Sequence, residues 1–206
     1  YARLVVAVSD PESAFELTQK ALNYADQFQI PVMILTEKQI AETHITVAPF
    51  EEGIVPIERH LITGGDIKNM KSEDRYKLTP SGVSPRWLPA TNPKAYYFTN
   101  GDEHDGMGRL DEEASAGDMI QKRIKKEASL LAALPEPLIY GEGKKAKISF
   151  IGWGSSKGVM QDVMKYYALK NIKVNYLHFD YVFPLKTEAL EAFMKANKNV
   201  HLIENN

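Results

Sequence analysis

Twice in this chain, once near each end, apolar runs of strand length alternate with helical periods, and that alternation restricts the fold more than any other feature. Leu4-Val5-Val6-Ala7-Val8 is a short β-branched run closed by Ser9-Asp10-Pro11. Asp10 suits an N-cap and Pro11 the first helical position. From Glu12 to Phe28, the residues Ala14, Leu17, Ala21, Ala25 and Phe28 recur at three- and four-residue steps, the stripe of an amphipathic helix. Pro31-Val32-Met33-Ile34-Leu35-Thr36 is a second apolar run without alternation, which predicts a strand covered on both faces as in parallel sheets. The first 45 residues thus read as strand, helix, strand, helix. The rhythm returns with strand Lys147–Ile151, helix Ser156–Lys170, strand Val174–Phe179, helix Leu185–Ala196 and strand Val200–Ile203. This βαβαβ order predicts right-handed crossovers and a parallel sheet, so the fold class is α/β.

Between the two rhythmic ends the pattern breaks. Six of the 11 prolines fall between Pro49 and Pro93, together with Gly64-Gly65 and a charged stretch around Lys68–Lys77. These signals predict irregular chain with one strand, Ala95–Thr99. A connection of this length is usually functional or a linker. Residues 111–134 then predict a long helix with Ile120, Ile124, Ala128 and Leu131 on one stripe. Lys122, Arg123, Lys125 and Lys126 lie beside that stripe, balanced by Glu112, Glu113, Asp118 and Glu127, which predicts a solvated helix face. No internal repeat or low-complexity segment is visible.

Composition removes several classes of function. Twenty-five basic against 27 acidic residues give a net charge of −2, against the basic excess of nucleic-acid binders. There is no cysteine, so disulfides, Fe–S ligation, thiolate zinc and a cysteine nucleophile are excluded from this sequence. No apolar run approaches the ~18 residues that span a bilayer, and no signal peptide is visible, so the expectation is a cytoplasmic protein without a membrane partner. The sequence opens at Tyr1 inside an apolar run and stops at Asn206 just after another, which suggests a piece of a longer chain.

Three segments are candidates for chemistry. Gly152-Trp153-Gly154-Ser155-Ser156-Lys157-Gly158 joins a strand to a helix, where a glycine-rich turn can cradle phosphate. Its spacing departs from both the dinucleotide fingerprint and the P-loop, and Asp180 follows Gly154 by 26 residues, late for a ribose-binding acid. A structural turn with Ser155 or Ser156 as N-cap is the favoured reading. The five histidines, His44, His60, His104, His178 and His201, show no i,i+4 pair, and no metal site is expected; His178 and His201 fall in strands as core histidines. Gly101-Asp102-Glu103-His104-Asp105-Gly106-Met107-Gly108 places three acids and a histidine between glycines. Such a loop can bring an acid–base group or a charge clamp to a cleft, or it can be a polar turn.

Several of these segments, in order, resemble the α subunit of 2-oxoacid:ferredoxin oxidoreductases, with the 2-oxoglutarate branch nearest. Ser13-Ala14-Phe15-Glu16-Leu17-Thr18-Gln19-Lys20-Ala21 and Pro31-Val32-Met33-Ile34-Leu35-Thr36-Glu37-Lys38 are similar to two of its segments. Ser84-Pro85-Arg86-Trp87-Leu88-Pro89 resembles a third, with Ala90 where a glycine is usual. Thr99-Asn100-Gly101-Asp102-Glu103-His104-Asp105 resembles its acidic loop, with Gly106 in place of an acid. Met119, Lys122 and Arg123 match a helix of the family. Gly152-Trp153-Gly154-Ser155, Lys173-Val174-Asn175-Tyr176-Leu177-His178 and Glu204-Asn205-Asn206 match its later α/β part.

The resemblance implies a thiamine-diphosphate enzyme that oxidatively decarboxylates a 2-oxoacid, passes electrons singly through Fe–S clusters to ferredoxin and captures the acyl group with coenzyme A. It implies that residues 1–45 end a pyrimidine-binding domain and that 46–145 are a connector with loop 101–108 and helix 111–134. Residues 146–206 would begin a transketolase C-terminal-like domain with a parallel sheet, incomplete here. It further implies a cognate β subunit that carries the diphosphate, Mg²⁺ and a cluster, in a dimer of heterodimers, with no cofactor held by these residues alone. The family's "YPITP" motif and cofactor-bonding glutamate would lie upstream of Tyr1, so this piece alone is expected to be inactive. Glu103, His104 and Asp105 would form an active-site loop that positions coenzyme A or gates its entry. Arg86 would pair with a substrate carboxylate or, the favoured reading, anchor the connector. The alternative function is a non-catalytic α/β module for subunit association.

Overall fold

A computed structural model describes residues 2–95, 104–108 and 114–205. Strand β1 (Leu4–Ala7) leads into helix α1 (Pro11–Phe28), followed by β2 (Val32–Leu35) and the short α2 (Lys38–Glu42). Asp10 caps α1 as its sequence suggests: its Oδ1 accepts the Ser13 N–H at 2.7 Å, and Ser13 Oγ accepts the Asp10 N–H at 3.0 Å. Leu17, Ala21 and Phe28 of the expected stripe are buried.

After the irregular middle come α3 (Ala114–Ala133), β3 (Leu138–Tyr140), β4 (Ile148–Trp153), α4 (Ser156–Ala168), β5 (Val174–Phe179), β6 (Tyr181–Phe183), α5 (Thr187–Ala196) and β7 (Val200–Leu202). The strands make two mixed sheets, in the orders β2-β1-β6 and β3-β5-β4-β7. Parallel pairing holds for β1 with β2 and for β4 with both β5 and β7. The purely parallel expectation is corrected at two places, because β3 runs antiparallel to β5 and β6 antiparallel to β1. Both are three-residue strands, too short to announce themselves by periodicity.

The chain divides into two compact units. One gathers Arg3–Leu22, Val32–Pro56 and Leu134–Asn206, and so holds both sheets. Its core is built on Leu177, Phe179 and Phe193, against which Ile151, Trp153 and Leu190 pack. Strand β2 is an edge with β1 as its neighbour, so Met33, Ile34 and Leu35 are exposed rather than covered on both faces. His201 on edge strand β7 is likewise exposed and not a core residue.

The other unit holds Asn23–Pro31 and Ile57–Ala133. Its irregular stretch contains two 3₁₀ turns, Gly64–Asn69 and Ser72–Tyr76. Side chains replace the missing ladders: Asn92 Nδ2 donates to the Ile67 and Met70 carbonyls at 2.6 and 3.0 Å, and Gln29 Nε2 to the Ser84 carbonyl at 2.7 Å. Residues 96–99 of the predicted strand Ala95–Thr99 and residues 111–113 of the predicted helix lie outside the described residues.

Helix α3 is rotated from its expected orientation. Ala116, Met119, Lys122 and Leu130 are buried, while Ile124 of the supposed apolar stripe is 56% exposed. The cause is a close backbone approach by Gly82, at φ +76°. A Cβ there would lie 2.4 Å from the Lys122 carbonyl oxygen and 2.8 Å from the Lys126 nitrogen, so only glycine fits. That approach turns the basic face inward.

Candidate functional site

The unit with both sheets contains a cavity of about 610 Å³. Its walls come from residues that follow the carboxyl ends of β1 and β5 and from the first turns of α1 and α4. Lys157 Nζ pairs with Asp10 Oδ2 at 2.9 Å, and Lys186 with Glu136 at 3.1 Å. Burial disfavours the Asp10 charge, but hydrogen bonds from Lys157 and Ser13 outweigh it and hold the carboxyl below its ordinary 3.8. Burial likewise works against the Lys157 ammonium, and the bond to Asp10 reverses this and raises it above 10.5.

The pair therefore stabilises the fold between those limits. The Asp10 contribution is present above pH 3.8 and lost as pH falls through its depressed value; the Lys157 contribution is present below 10.5 and lost as pH rises through its raised one. Lys157→Met is expected to cost about 1–2 kcal/mol at pH 7 in urea unfolding. The gap between variant and parent should narrow as pH falls below 3.8 and close once it has passed through the depressed Asp10 value.

A buried chain of polar groups backs the cavity. Tyr176, His178 and Asp180 alternate along and just past β5, which brings them to one face. His178 Nε2 lies 3.1 Å from Asp180 Oδ1, His178 Nδ1 2.7 Å from the Tyr176 hydroxyl, and that hydroxyl 2.9 Å from Ser156 Oγ. With a neutral imidazole, Nε2–H donates to the Asp180 carboxylate and Nδ1 accepts from Tyr176. Desolvation pushes the Tyr176 phenol up to about 12, which keeps it a donor. His178 is the satisfied core histidine that its strand position suggests. In the sequence Asp10 reads as a cap and Asp180 as too late for a ribose-binding acid, and the pairing of Asp10 with Lys157 is not visible. The one available signal was position, since both acids follow strand ends where α/β proteins bind ligands.

The glycine-rich turn 152–158 is structural. Neither Ser155 nor Ser156 caps α4 with its side chain. Ser156 Oγ instead donates to the Trp153 carbonyl at 2.7 Å. The end of the helix is met by Glu37, whose carboxylate accepts the Ser155 hydroxyl and, at 3.4 Å, the Ser155 N–H, while Asn205 Nδ2 donates to it at 3.0 Å. A carboxylate in that place repels phosphate.

Of the three loop residues singled out in the sequence, Glu103 lies outside the described residues, and His104 and Asp105 share one turn. Asp105 Oδ1 accepts the Met107 N–H at 2.8 Å, and Gly108 N–H donates to the Asp105 carbonyl at 3.0 Å. His104 Nδ1 donates to that same carbonyl at 2.8 Å, and its ring rests on Tyr76 with centroids 4.5 Å apart. His104 lines a cleft of about 120 Å³ with Arg75, Tyr76, Lys122, Arg123 and Lys126. Desolvation, then repulsion by neighbouring cations, pushes both Lys122 and Lys126 down to about 8. The basic residues read as a solvated face are thus partly an inward-facing cluster. Among the described residues no group of three His, Asp or Glu converges to hold a metal ion.

Arg86 is the anchor that its Pro-rich setting suggests. Its Nη1 pairs with Asp26 Oδ1 at 2.9 Å, Arg59 Nε pairs with Asp26 Oδ2 at 2.6 Å, and Arg86 also donates to the Arg59 carbonyl.

Fold and cavity together define an α/β protein with mixed sheets whose charged groups gather past the carboxyl ends of its strands. No protein-family model matches the chain. Over its whole length it is 30% identical to the α subunit of 2-oxoacid:ferredoxin oxidoreductase 1 from Sulfurisphaera tokodaii, of which it spans 32%. It is 23% identical, over 97% of the chain and 52% of the relative, to the 2-oxoglutarate synthase subunit KorA of Methanocaldococcus jannaschii. Its fold matches the 2-oxoglutarate:ferredoxin oxidoreductase from Magnetococcus marinus, solved with 2-oxoglutarate, coenzyme A and succinyl-CoA bound. That match has a TM-score of 0.85 at 26% identity and covers 99% of this chain and 35% of the other. The chain is homologous to the α subunits of 2-oxoacid:ferredoxin oxidoreductases, over about a third of their length. No described helix is long and apolar enough to cross a membrane.

Proposed function

We propose that this chain is part of the α subunit of a thiamine-diphosphate-dependent 2-oxoacid:ferredoxin oxidoreductase that takes 2-oxoglutarate. The whole enzyme would convert the oxoacid and coenzyme A to acyl-CoA and CO₂, with electrons passed to ferredoxin. What carries this reading is the full-chain structural likeness to an enzyme solved with 2-oxoglutarate, coenzyme A and succinyl-CoA. Residues 1–45 would close the pyrimidine-binding domain, 46–145 connect, and 146–206 begin the transketolase C-terminal-like domain.

The described residues do not fit thiamine diphosphate themselves. The glycine-rich turn 152–158 is met by the Glu37 carboxylate, which leaves no cradle for the diphosphate, and no acid cluster among the described residues suits Mg²⁺. As the resemblance implies, the diphosphate, Mg²⁺ and the Fe–S cluster would be held by a partner β subunit. Reconstituting the complete α subunit with β and following methyl-viologen reduction tests the reading. Turnover of 2-oxoglutarate that needs both thiamine diphosphate and coenzyme A is expected. A stable complex that turns over no 2-oxoacid would leave the subunit-association module.

Within that enzyme, Glu103, His104 and Asp105 would position coenzyme A or gate its entry. Asp105→Asn is the informative change, because the amide oxygen can still accept the Met107 N–H and preserve the turn while the charge is lost. We expect the coenzyme A KM to rise by about tenfold, equivalent to one lost charge-assisted contact. An unchanged KM and unchanged turnover would overturn the assignment.

A further inference from the structure

We infer that the buried polar chain from Asp180 to the end of β4 is a proton switch: His178 takes up a second proton, and the Tyr176 hydroxyl turns from His178 to Ser156. All of these groups lie in the unit that holds both sheets, and none depends on the enzyme reading.

The hydrogen inventory of the chain is one short. Four contacts join five groups: His178 Nε2 to Asp180 Oδ1 at 3.1 Å, His178 Nδ1 to the Tyr176 hydroxyl at 2.7 Å, that hydroxyl to Ser156 Oγ at 2.9 Å, and Ser156 Oγ to the Trp153 carbonyl at 2.7 Å. Each contact needs one hydrogen. The carbonyl and the carboxylate bring none, each hydroxyl brings one, and a neutral imidazole brings one. The Ser156 hydrogen is committed to the Trp153 carbonyl and the imidazole hydrogen to Asp180. With Tyr176 donating to His178, the gap falls between the Tyr176 and Ser156 oxygens. Two oxygens 2.9 Å apart repel when no hydrogen lies between them, and form an ordinary hydrogen bond when one does. A proton added to His178 fills the gap. Both ring nitrogens then donate, and Tyr176 gives its hydrogen to Ser156.

The surroundings accommodate that charge. His178 and Tyr176 are fully buried, and a buried imidazolium needs an adjacent counter-charge. Asp180 supplies it at the wall of the cavity. Lys157 on α4 is itself paired with Asp10, and Tyr140 on β3 is stacked on Tyr176. Strand β4 meets His178 with Gly152, which bears no charge. Elsewhere in the cavity Glu16 is paired with Lys20 and Glu136 with Lys186, while Glu12 is exposed. Desolvation holds the Tyr176 phenol at about 12, so its hydrogen stays in the chain. The switch decides whether Asp180 meets the cavity as a lone carboxylate or as half of an ion pair. It also carries that state to Ser156, in the first turn of α4.

The test is a pH titration of the full chain, isotope-labelled at its histidine nitrogens and read by NMR. His178 should pass from one N–H to two as pH falls. The hydrogen between Tyr176 and His178 should move from oxygen to nitrogen at the same midpoint. Ser156→Ala removes the acceptor that Tyr176 uses only in the protonated state, so it should lower the midpoint by at least about one pH unit. The bond from Ser156 to Trp153 is present in both states, and its loss does not move the midpoint. Val159→Ala, at an exposed position of the same helix, should leave the midpoint unchanged. A His178 that keeps one N–H at every pH where the protein stays folded, or two throughout, would overturn the proposal. So would an unmoved midpoint in Ser156→Ala. Should that variant not fold, the hydrogen between Tyr176 and His178 in the unaltered chain decides: if it stays on oxygen while the ring titrates, the switch is refuted.

Discussion

Trp87→Ala is expected to remove about 4 kcal/mol of stability from the unit that contains it. Trp87 is 1% exposed and stands first among the largest fully buried side chains. It lies in a stretch that has no described strand and few backbone ladders, so side-chain burial bears much of the load there. A Trp-to-Ala cavity in such a setting collapses only partly, because neighbouring segments are held by their own bonds, Arg86 to Asp26 and Asn92 to the turn at Ile67. The Ile62 amide, which donates to the Arg86 carbonyl at 2.8 Å, is the natural probe. Its hydrogen exchange should accelerate by up to about a thousandfold if it opens with the Trp87 core. An unaltered Ile62 exchange rate would show that the indole is dispensable.

The second large effect is expected at Tyr176. Tyr176→Ala should cost about 4–5 kcal/mol in urea unfolding and Tyr176→Phe about 2. The difference arises because two things happen at one residue. Its ring is fully buried on β5, stacked on Tyr140 with centroids 5.8 Å apart. Its hydroxyl lies beside Ser156 and donates to His178, and deleting it strands a buried imidazole nitrogen without its donor. Gly152 adds a constraint from the other side, since a Cβ there would sit 3.1 Å from that hydroxyl. If Phe costs nothing, the polar chain contributes no stability. If Phe costs as much as Ala, ring packing contributes none.

Local rules carried well where a signal spans few residues. Asp10 and Pro11 start α1 because one supplies an acceptor for a helix N–H and the other a preset φ. The order of the long strands and helices followed from hydrophobic period. The cap of α4 did not, because its acceptor, Glu37, lies 118 residues away in the chain. The rotation of α3 escaped for a similar reason. A stripe of isoleucine and leucine predicts the buried face only when nothing else competes, and here the backbone at Gly82 packs against the lysine side.

Sequence by itself determined the long helices and strands, the α/β class, the absence of cysteine from these 206 residues and, through a resemblance of motifs, the likeness to 2-oxoacid:ferredoxin oxidoreductase α subunits. The tertiary structure alone decided that the two rhythmic ends belong together. Tyr181–Phe183 leaves the sheet of β5 after Asp180 and pairs with β1, so the first strand and the 183rd residue share one sheet. Period and propensity act over a few residues, whereas strand pairing, trans-acting caps and the company a charge keeps are set by contacts between segments far apart in the chain. That is why the inward-facing lysines of α3 read, in one dimension, as a solvated face, and why Lys157 read as part of a glycine-rich turn rather than as the partner of Asp10.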